Sequence, residues 1–148
     1  MQRVTEASVA WDGGQSSIGA GFCILVGVAE TDTERDADYL AEKILKLRVF
    51  SDDAGKFNLS ATQVQAGFLV ISQFTLFADA RGQNRPSFLK AARPEQGRPL
   101  LDRFIDRLRQ SGLPVETGSF GAQMAVQIVN DGPVTLVLST DDWPTRIG

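Results

Sequence analysis

The chain is expected to fold as an α/β protein of α+β-like type, with mixed, largely antiparallel β layers covered by two helices. Three observations predict this. Only two stretches repeat apolar residues at helical spacing, the rest breaks into short alternating or continuous apolar runs, and the order reads strands, helix, strands, helix, strands. At 148 residues, with no linker, internal repeat or low-complexity segment, positions 1–148 read as a single domain.

The elements follow in order. Positions 2–11 alternate around Val4, Ala7 and Val9 and read as a first strand. Positions 21–28, GFCILVGV, form a continuous apolar run suited to a strand buried on both faces. From 33 to 47, Ala37, Leu40, Ala41, Ile44, Leu45 and Leu47 recur at three and four, with Asp32 or Thr33 as the expected N-cap and acids crowding the first turn. Val49-Phe50 and positions 56–59 flank the turn signal Asp52-Asp53-Ala54-Gly55. Positions 68–77, FLVISQFTLF, are the next expected strand, and 78–93, with Gly82, Asn84 and Pro86, the longest loop. From 94 to 111, Leu100, Leu101, Phe104, Ile105 and Leu108 mark a second helix with Pro94 at its start and Gly112 past its end, leaving Arg103, Arg107 and Arg109 for solvent or a partner. Last, 124–129 and 134–139 flank Asn130-Asp131-Gly132, a hairpin signal, yet Pro133 stands where the returning strand needs an amide hydrogen.

Composition excludes several classes. Apolar residues at 43% and charged residues at 22% are ordinary for a globular chain, against disorder or a disulfide scaffold. No run approaches the roughly 18 apolar residues of a membrane span, so a soluble, cytoplasmic protein without a membrane partner is expected. Cys23, the single cysteine, lies in an apolar run and reads as a buried, inert thiol. Histidine is absent, which removes Ser-His-Asp and Cys-His catalysis and leaves a poor ligand set for zinc; no metal and no cofactor is expected. The net charge is −3, but it is uneven: positions 1–60 carry ten acids and six bases, and 81–109 carry eight bases and three acids. The basic stretch, including Arg81, Arg85, Lys90 and Arg93, fits either a phosphate backbone or a solvated helix face.

FLVISQFTLF holds polar groups in unusual places. As a strand it would put Leu69, Ile71, Gln73, Thr75 and Phe77 on one face and Val70, Ser72, Phe74 and Leu76 on the other, mixing polar with apolar on both. A buried polar atom left unpaired costs about 1–3 kcal/mol, so Ser72, Gln73 and Thr75 either satisfy nearby backbone as the strand ends or serve a site.

Ser72-Gln73-Phe74-Thr75-Leu76 and, about 55 residues on, Asn130-Asp131-Gly132-Pro133-Val134-Thr135 together resemble the two signature motifs of the D-aminoacyl-tRNA deacylases. The resemblance also runs through Gln2-Arg3-Val4 with Glu6-Ala7-Ser8-Val9, the helix at 36–44, Arg85-Pro86-Ser87-Phe88, and Phe120-Gly121-Ala122 with Met124, nearly the whole chain. It implies the D-aminoacyl-tRNA deacylase fold and a homodimeric hydrolase that cleaves the ester between a D-amino acid and the 3′ end of tRNA. It further implies a cis Gly132-Pro133 bond reaching the facing subunit's pocket, where main-chain carbonyls hold the substrate amine and reject an L side chain sterically. Glycine, with no side chain to exclude, should then also be cleaved.

By family position Thr75, Phe74 and Gln73 are the expected catalytic group, with backbone amides near Phe74 and Thr75 as an oxyanion site. Thr75 has no histidine to activate it, so an orienting role ranks above a covalent one, and water or the ribose 2′-hydroxyl handles the proton. Ser72, Met124, Gly132 and Pro133 are the expected substrate-binding residues, and Arg3 the brace for the facing subunit's Gly-Pro loop. Arg81, Arg85, Lys90 and Arg93 would meet the tRNA. Two alternatives stand beside this reading: a paralogous deacylase that holds Gly-Pro trans and acts on L-alanyl-tRNA, and a non-catalytic nucleic-acid-binding protein of the same fold. Family members usually carry several residues before Gln-Arg-Val, whereas Met1 here directly precedes Gln2, so a short first strand and a weakly anchored Arg3, or a misassigned start codon, are expected; positions 141–148 are expected as a surface tail.

Overall fold

The computed structural model describes residues 1–141. Three strands open the fold: β1 (Gln2–Trp11), β2 (Gly14–Ile18) and β3 (Gly21–Val26). Helix α1 (Glu34–Lys46) follows, then a hairpin of β4 (Phe50–Ser51) and β5 (Phe57–Leu59), a single turn of helix α2 (Ala61–Val64), and β6 (Gly67–Ser72). A 3-10 helix at Phe74–Phe77 leads through the long loop to α3 (Pro94–Arg109), β7 (Val115–Thr117) and β8 (Met124–Thr135).

The main sheet runs β2-β1-β3-β6-β7, with β8 along the other side of β1. It is mixed as expected: β1 pairs antiparallel with β2, β3 and β8, while β6 runs parallel to both β3 and β7. Period-two alternation on β3 and β6 divides the core. Phe22, Ile24, Phe68 and Val70 face the helices, packing with Ala41, Ile44, Leu101, Phe104 and Leu108. Cys23, Leu69 and Ile71 face the other way, against Val4, Val9 and Ile18. Both faces of these strands are therefore covered, which is why the sequence there is continuously apolar. Where β3 and β6 begin, a Cβ on Gly21 would lie 1.9 Å from Gly67 O, so only glycine lets the two strands pair there.

Helix α1 is capped by Thr33, whose amide and hydroxyl both donate to Asp36 Oδ2 at 2.8 Å. Its acids take up the arginines of α3. Arg103 donates to Asp38 from Nε and Nη2 at 2.8 Å and lies 2.9 Å from Glu34, while Arg107 donates to Glu42 at 2.7 Å. Arg109 sits 3.7 Å from Asp106. The basic face of this helix is thus spoken for within the chain.

Several expectations are corrected. The strand predicted for 68–77 ends at Ser72, because the Gln73 amide donates to Val26 O (2.8 Å) and the backbone then winds, with Leu76 N on Gln73 O and Ala78 N on Thr75 O. The hairpin predicted at 124–139 is a single strand: β8 follows β1 from Met124↔Trp11 to Thr135↔Gln2. Asn130-Asp131-Gly132 does not reverse the chain but bulges from it, so that 130–135 face only Gln2 to Val4. β1 is not short; it has ten residues, and the Met1 amine donates to Leu136 O at 2.7 Å while Leu136 N donates back to Met1 O. β2, α2 and β7 were not expected: the first is polar, without apolar alternation, and the other two are three or four residues long. Cys23 is buried, and burial pushes its thiol pKa up. No helix among the described residues is long and apolar enough to cross a membrane. The expected tail lies, apart from Asp141, outside the described residues.

Candidate active site

Ser72 closes β6 half-buried, and Gln73 passes into the 3-10 helix, where Phe74 and Thr75 stand exposed. The amides of Phe74 and Thr75 have no acceptor among the described residues, as the opening amides of a helical turn do not. Gln73 Nε2 donates to Thr75 Oγ1. An amide donor can fix a hydroxyl but cannot take its proton. Phe74, 57% exposed, meets Phe88 edge-on with ring centroids 5.3 Å apart. Phe88 comes from the long loop and was not singled out as a site residue; its only sequence signal was the Arg85-Pro86-Ser87-Phe88 motif.

Met124 reaches the same end of the sheet. Gly118 donates to Val70 O on β6 at 3.3 Å, and a Cβ on Gly118 would lie 2.5 Å from Met124 Sδ. A cleft of about 310 Å³ is lined by Leu76, Phe77, Val26 and Leu138, but by none of residues 72–75. The exposed side chains of Phe74 and Thr75 thus lie outside that cleft.

Gly132 and Pro133 lie elsewhere, exposed on the bulge of β8 and joined by a cis peptide bond. Arg3 braces this bulge within its own chain, against the expected weak anchor. It is 7% exposed; Nε donates to Asp131 O and lies by Asp131 Oδ2, both at 3.2 Å, and Nη1 donates to Val49 O at 2.7 Å. The bulge borders β1, whereas Ser72 ends β6, and β3 lies between β1 and β6. No hydrogen bond or ion pair joins Gly132-Pro133 to residues 72–75 among the described residues.

Of the expected tRNA contacts, Arg81 is occupied: its Nε donates to Asp79 Oδ1 at 2.9 Å and holds that carboxyl well below the usual carboxylate range. Arg85, Lys90 and Arg93 are exposed and have no salt-bridge partner among the described residues. No group of three or more His, Cys, Asp or Glu side chains placed to hold a metal occurs among the described residues.

Comparison with known proteins shows the family of the chain. Residues 1–139 match the family model described as D-Tyr-tRNA(Tyr) deacylase. The chain belongs to that family. It is 54% identical to a D-aminoacyl-tRNA deacylase of Chloroflexus aurantiacus over 151 aligned positions, covering 100% of this chain and 94% of that protein. It is 51% identical to the one of Chlorobaculum parvum, covering 95% of each. A solved structure titled c-Myc DNA Unwinding Element Binding Protein superposes with a TM-score of 0.87 at 42% identity, over 95% of this chain and 96% of that one. The deacylase family is one of ester hydrolases, and the open Ser72–Thr75 face and the remote Gly132 bulge are the features its chemistry has to explain.

Proposed function

We propose that this chain, working as one domain, hydrolyses the ester of D-aminoacyl-tRNA as a homodimer, each subunit's Gly132-Pro133 bulge closing the Ser72–Thr75 face of the other. The observation that carries this reading is the separation of the two motifs. In one chain β1 and β3 stand between the bulge and Ser72, and a second copy offering its bulge to this face would put both motifs on one aminoacyl group.

In that closed site the main-chain carbonyls of Gly132 and Pro133 take the substrate ammonium and leave no room for an L side chain, while a D side chain points out. Selection by exclusion needs no knowledge of which side chain is excluded, which suits a proofreading enzyme of broad range and extends to glycyl-tRNA. The unpaired amides of Phe74 and Thr75 are the oxyanion donors, and Gln73 holds the Thr75 hydroxyl in an orienting role. Ser72 and Met124 shape the pocket, and water or the ribose 2′-hydroxyl carries the proton. Arg85, Lys90 and Arg93, on the loop that also brings Phe88 to Phe74, receive the phosphates of the acceptor end.

The test is paired hydrolysis of D- and L-tyrosyl-tRNA, with molecular mass measured in solution. The reading expects a dimer that cleaves the D ester and spares the L ester. A monomer that cleaves, or cleavage without preference for D, overturns it. Tight tRNA binding without turnover would instead select a binding module, a reading for which the three unpaired cations give some ground.

A further inference from the structure

The β4–β5 hairpin stands apart from the main sheet, and one guanidinium ties it to the Gly132 bulge. Arg3 Nη1 donates to Val49 O at the base of the hairpin (2.7 Å), and Nε engages Asp131 O and Oδ2 (3.2 Å each). Its central carbon lies 5.4 Å from the centroid of the Phe57 ring on β5. Arg3 is 7% exposed and Phe57 56% exposed, so the ring covers the arginine while its own outer side remains open. The hairpin that carries Phe57 is stiff. Asp52 Oδ1 accepts from the amides of Ala54 and Lys56 at 2.9 and 3.0 Å, and Arg48 Nε donates to Asn58 O at 2.7 Å.

A planar guanidinium directs its donors only while its plane is held. Two acceptors lie in the bulge residue Asp131 and one in Val49, and a ring against the face both attracts the cation and keeps water from competing for those donors. A Cβ on Gly132 would lie 3.6 Å from Arg3 Nη2, which puts the same guanidinium directly beside the glycine. We propose that Phe57 is a positioning residue: its ring clamps Arg3, Arg3 holds Asp131, and the Gly132-Pro133 bulge is thereby kept in the shape that discriminates D from L. This rests on the reading above, in which the bulge closes the facing site.

The test is Phe57→Ala and Phe57→Tyr beside wild type, with kcat/KM for D- and L-tyrosyl-tRNA and the Tm of each. In Phe57→Ala the D:L ratio is expected to fall about fivefold or more, the factor equivalent to a partly exposed cation–π contact. Its Tm is expected to fall by no more than about 2–4 °C, the share of the lost cation–π contact, since a largely exposed ring adds little to the core. Phe57→Tyr keeps the ring face and is expected to restore the ratio. An unchanged ratio in Phe57→Ala, a tyrosine that fails to restore it, or an alanine variant that unfolds overturns the inference, the last by making Phe57 a core residue. A wild-type protein without D preference overturns the underlying reading as well; a discriminating wild type with an unchanged Phe57→Ala overturns this inference alone.

Discussion

Gly132→Ala concentrates the argument in one methyl group. Gly132 has φ +131°, and a Cβ there would lie 2.8 Å from Val134 Cγ2 and 2.9 Å from Val134 N. The valine methyl can turn away, but the backbone nitrogen can yield only if the bulge shifts. Holding an L residue in this region costs about 1–3 kcal/mol. Taking about 2 kcal/mol and a chain of 148 residues, the Tm is expected to drop by about 4–8 °C. Because the bulge is exposed, it relaxes before the core does, so the larger effect falls on function. Single-turnover hydrolysis of D-tyrosyl-tRNA is expected to slow by at least about tenfold, equivalent to about 1.4 kcal/mol. Differential scanning calorimetry and quenched hydrolysis at saturating enzyme measure the two effects separately. A variant with wild-type Tm, D rate and D:L ratio would refute the reasoning, since the bulge would then be neither constrained nor in contact with substrate.

Other outcomes follow from the same geometry. Thr75→Ala is expected to keep single-turnover hydrolysis within about tenfold of wild type, and a collapse to the uncatalysed rate would reinstate a covalent threonine. Glycyl-tRNA is expected to be cleaved by the purified protein, and complete resistance at enzyme levels that cleave a D ester would count against steric selection. Charge reversal of Arg85, Lys90 or Arg93 is expected to weaken tRNA binding and reduce the slope of log K against log salt by about 0.7–0.9 per lost contact. Arg103→Ala, whose partners lie on α1, is expected to leave that slope alone. Its effect is on stability: the hydrogen bond from Arg103 is the main cause holding the Asp38 carboxyl below its ordinary value. A depressed carboxylate stabilises the fold above its unfolded pKa, about 3.9, and loses that contribution as pH falls through the lower folded value. The Tm gap between wild type and Arg103→Ala is therefore expected at pH 7 and to shrink below about pH 4.

The long helices and the central strands were legible because their signal is local. Leu101, Phe104, Ile105 and Leu108 recur at helical spacing and all bury on one side of α3, and GFCILV is apolar throughout because helices cover one face and β1 the other. β2 was not legible: GQSSI has no apolar alternation and is a strand only because β1 offers it a ladder from Ala7 to Trp11. Positions 73–77 misled for a related reason. Phe74, Leu76 and Phe77 have strand propensity, yet the ladder ends where Gln73 N finds Val26 O, and the exposed residues beyond it curl into a turn.

By itself, the sequence determined the two helices, the buried pair β3 and β6, the absence of histidine chemistry, and the two motifs whose order and spacing mark the family. These depend on side-chain type and period, which a linear chain displays. Only the tertiary structure decided that Asn130-Asp131-Gly132-Pro133 is a bulge on a continuous strand rather than a hairpin, because β1 runs on beneath it for its whole length and leaves the chain nowhere to fold back. Only the tertiary structure, likewise, separated the arginines, pairing Arg103 and Arg107 with α1 while leaving Arg85, Lys90 and Arg93 in solvent. Partners contributed by elements some 65 residues away in sequence are set by packing, and no local pattern records them.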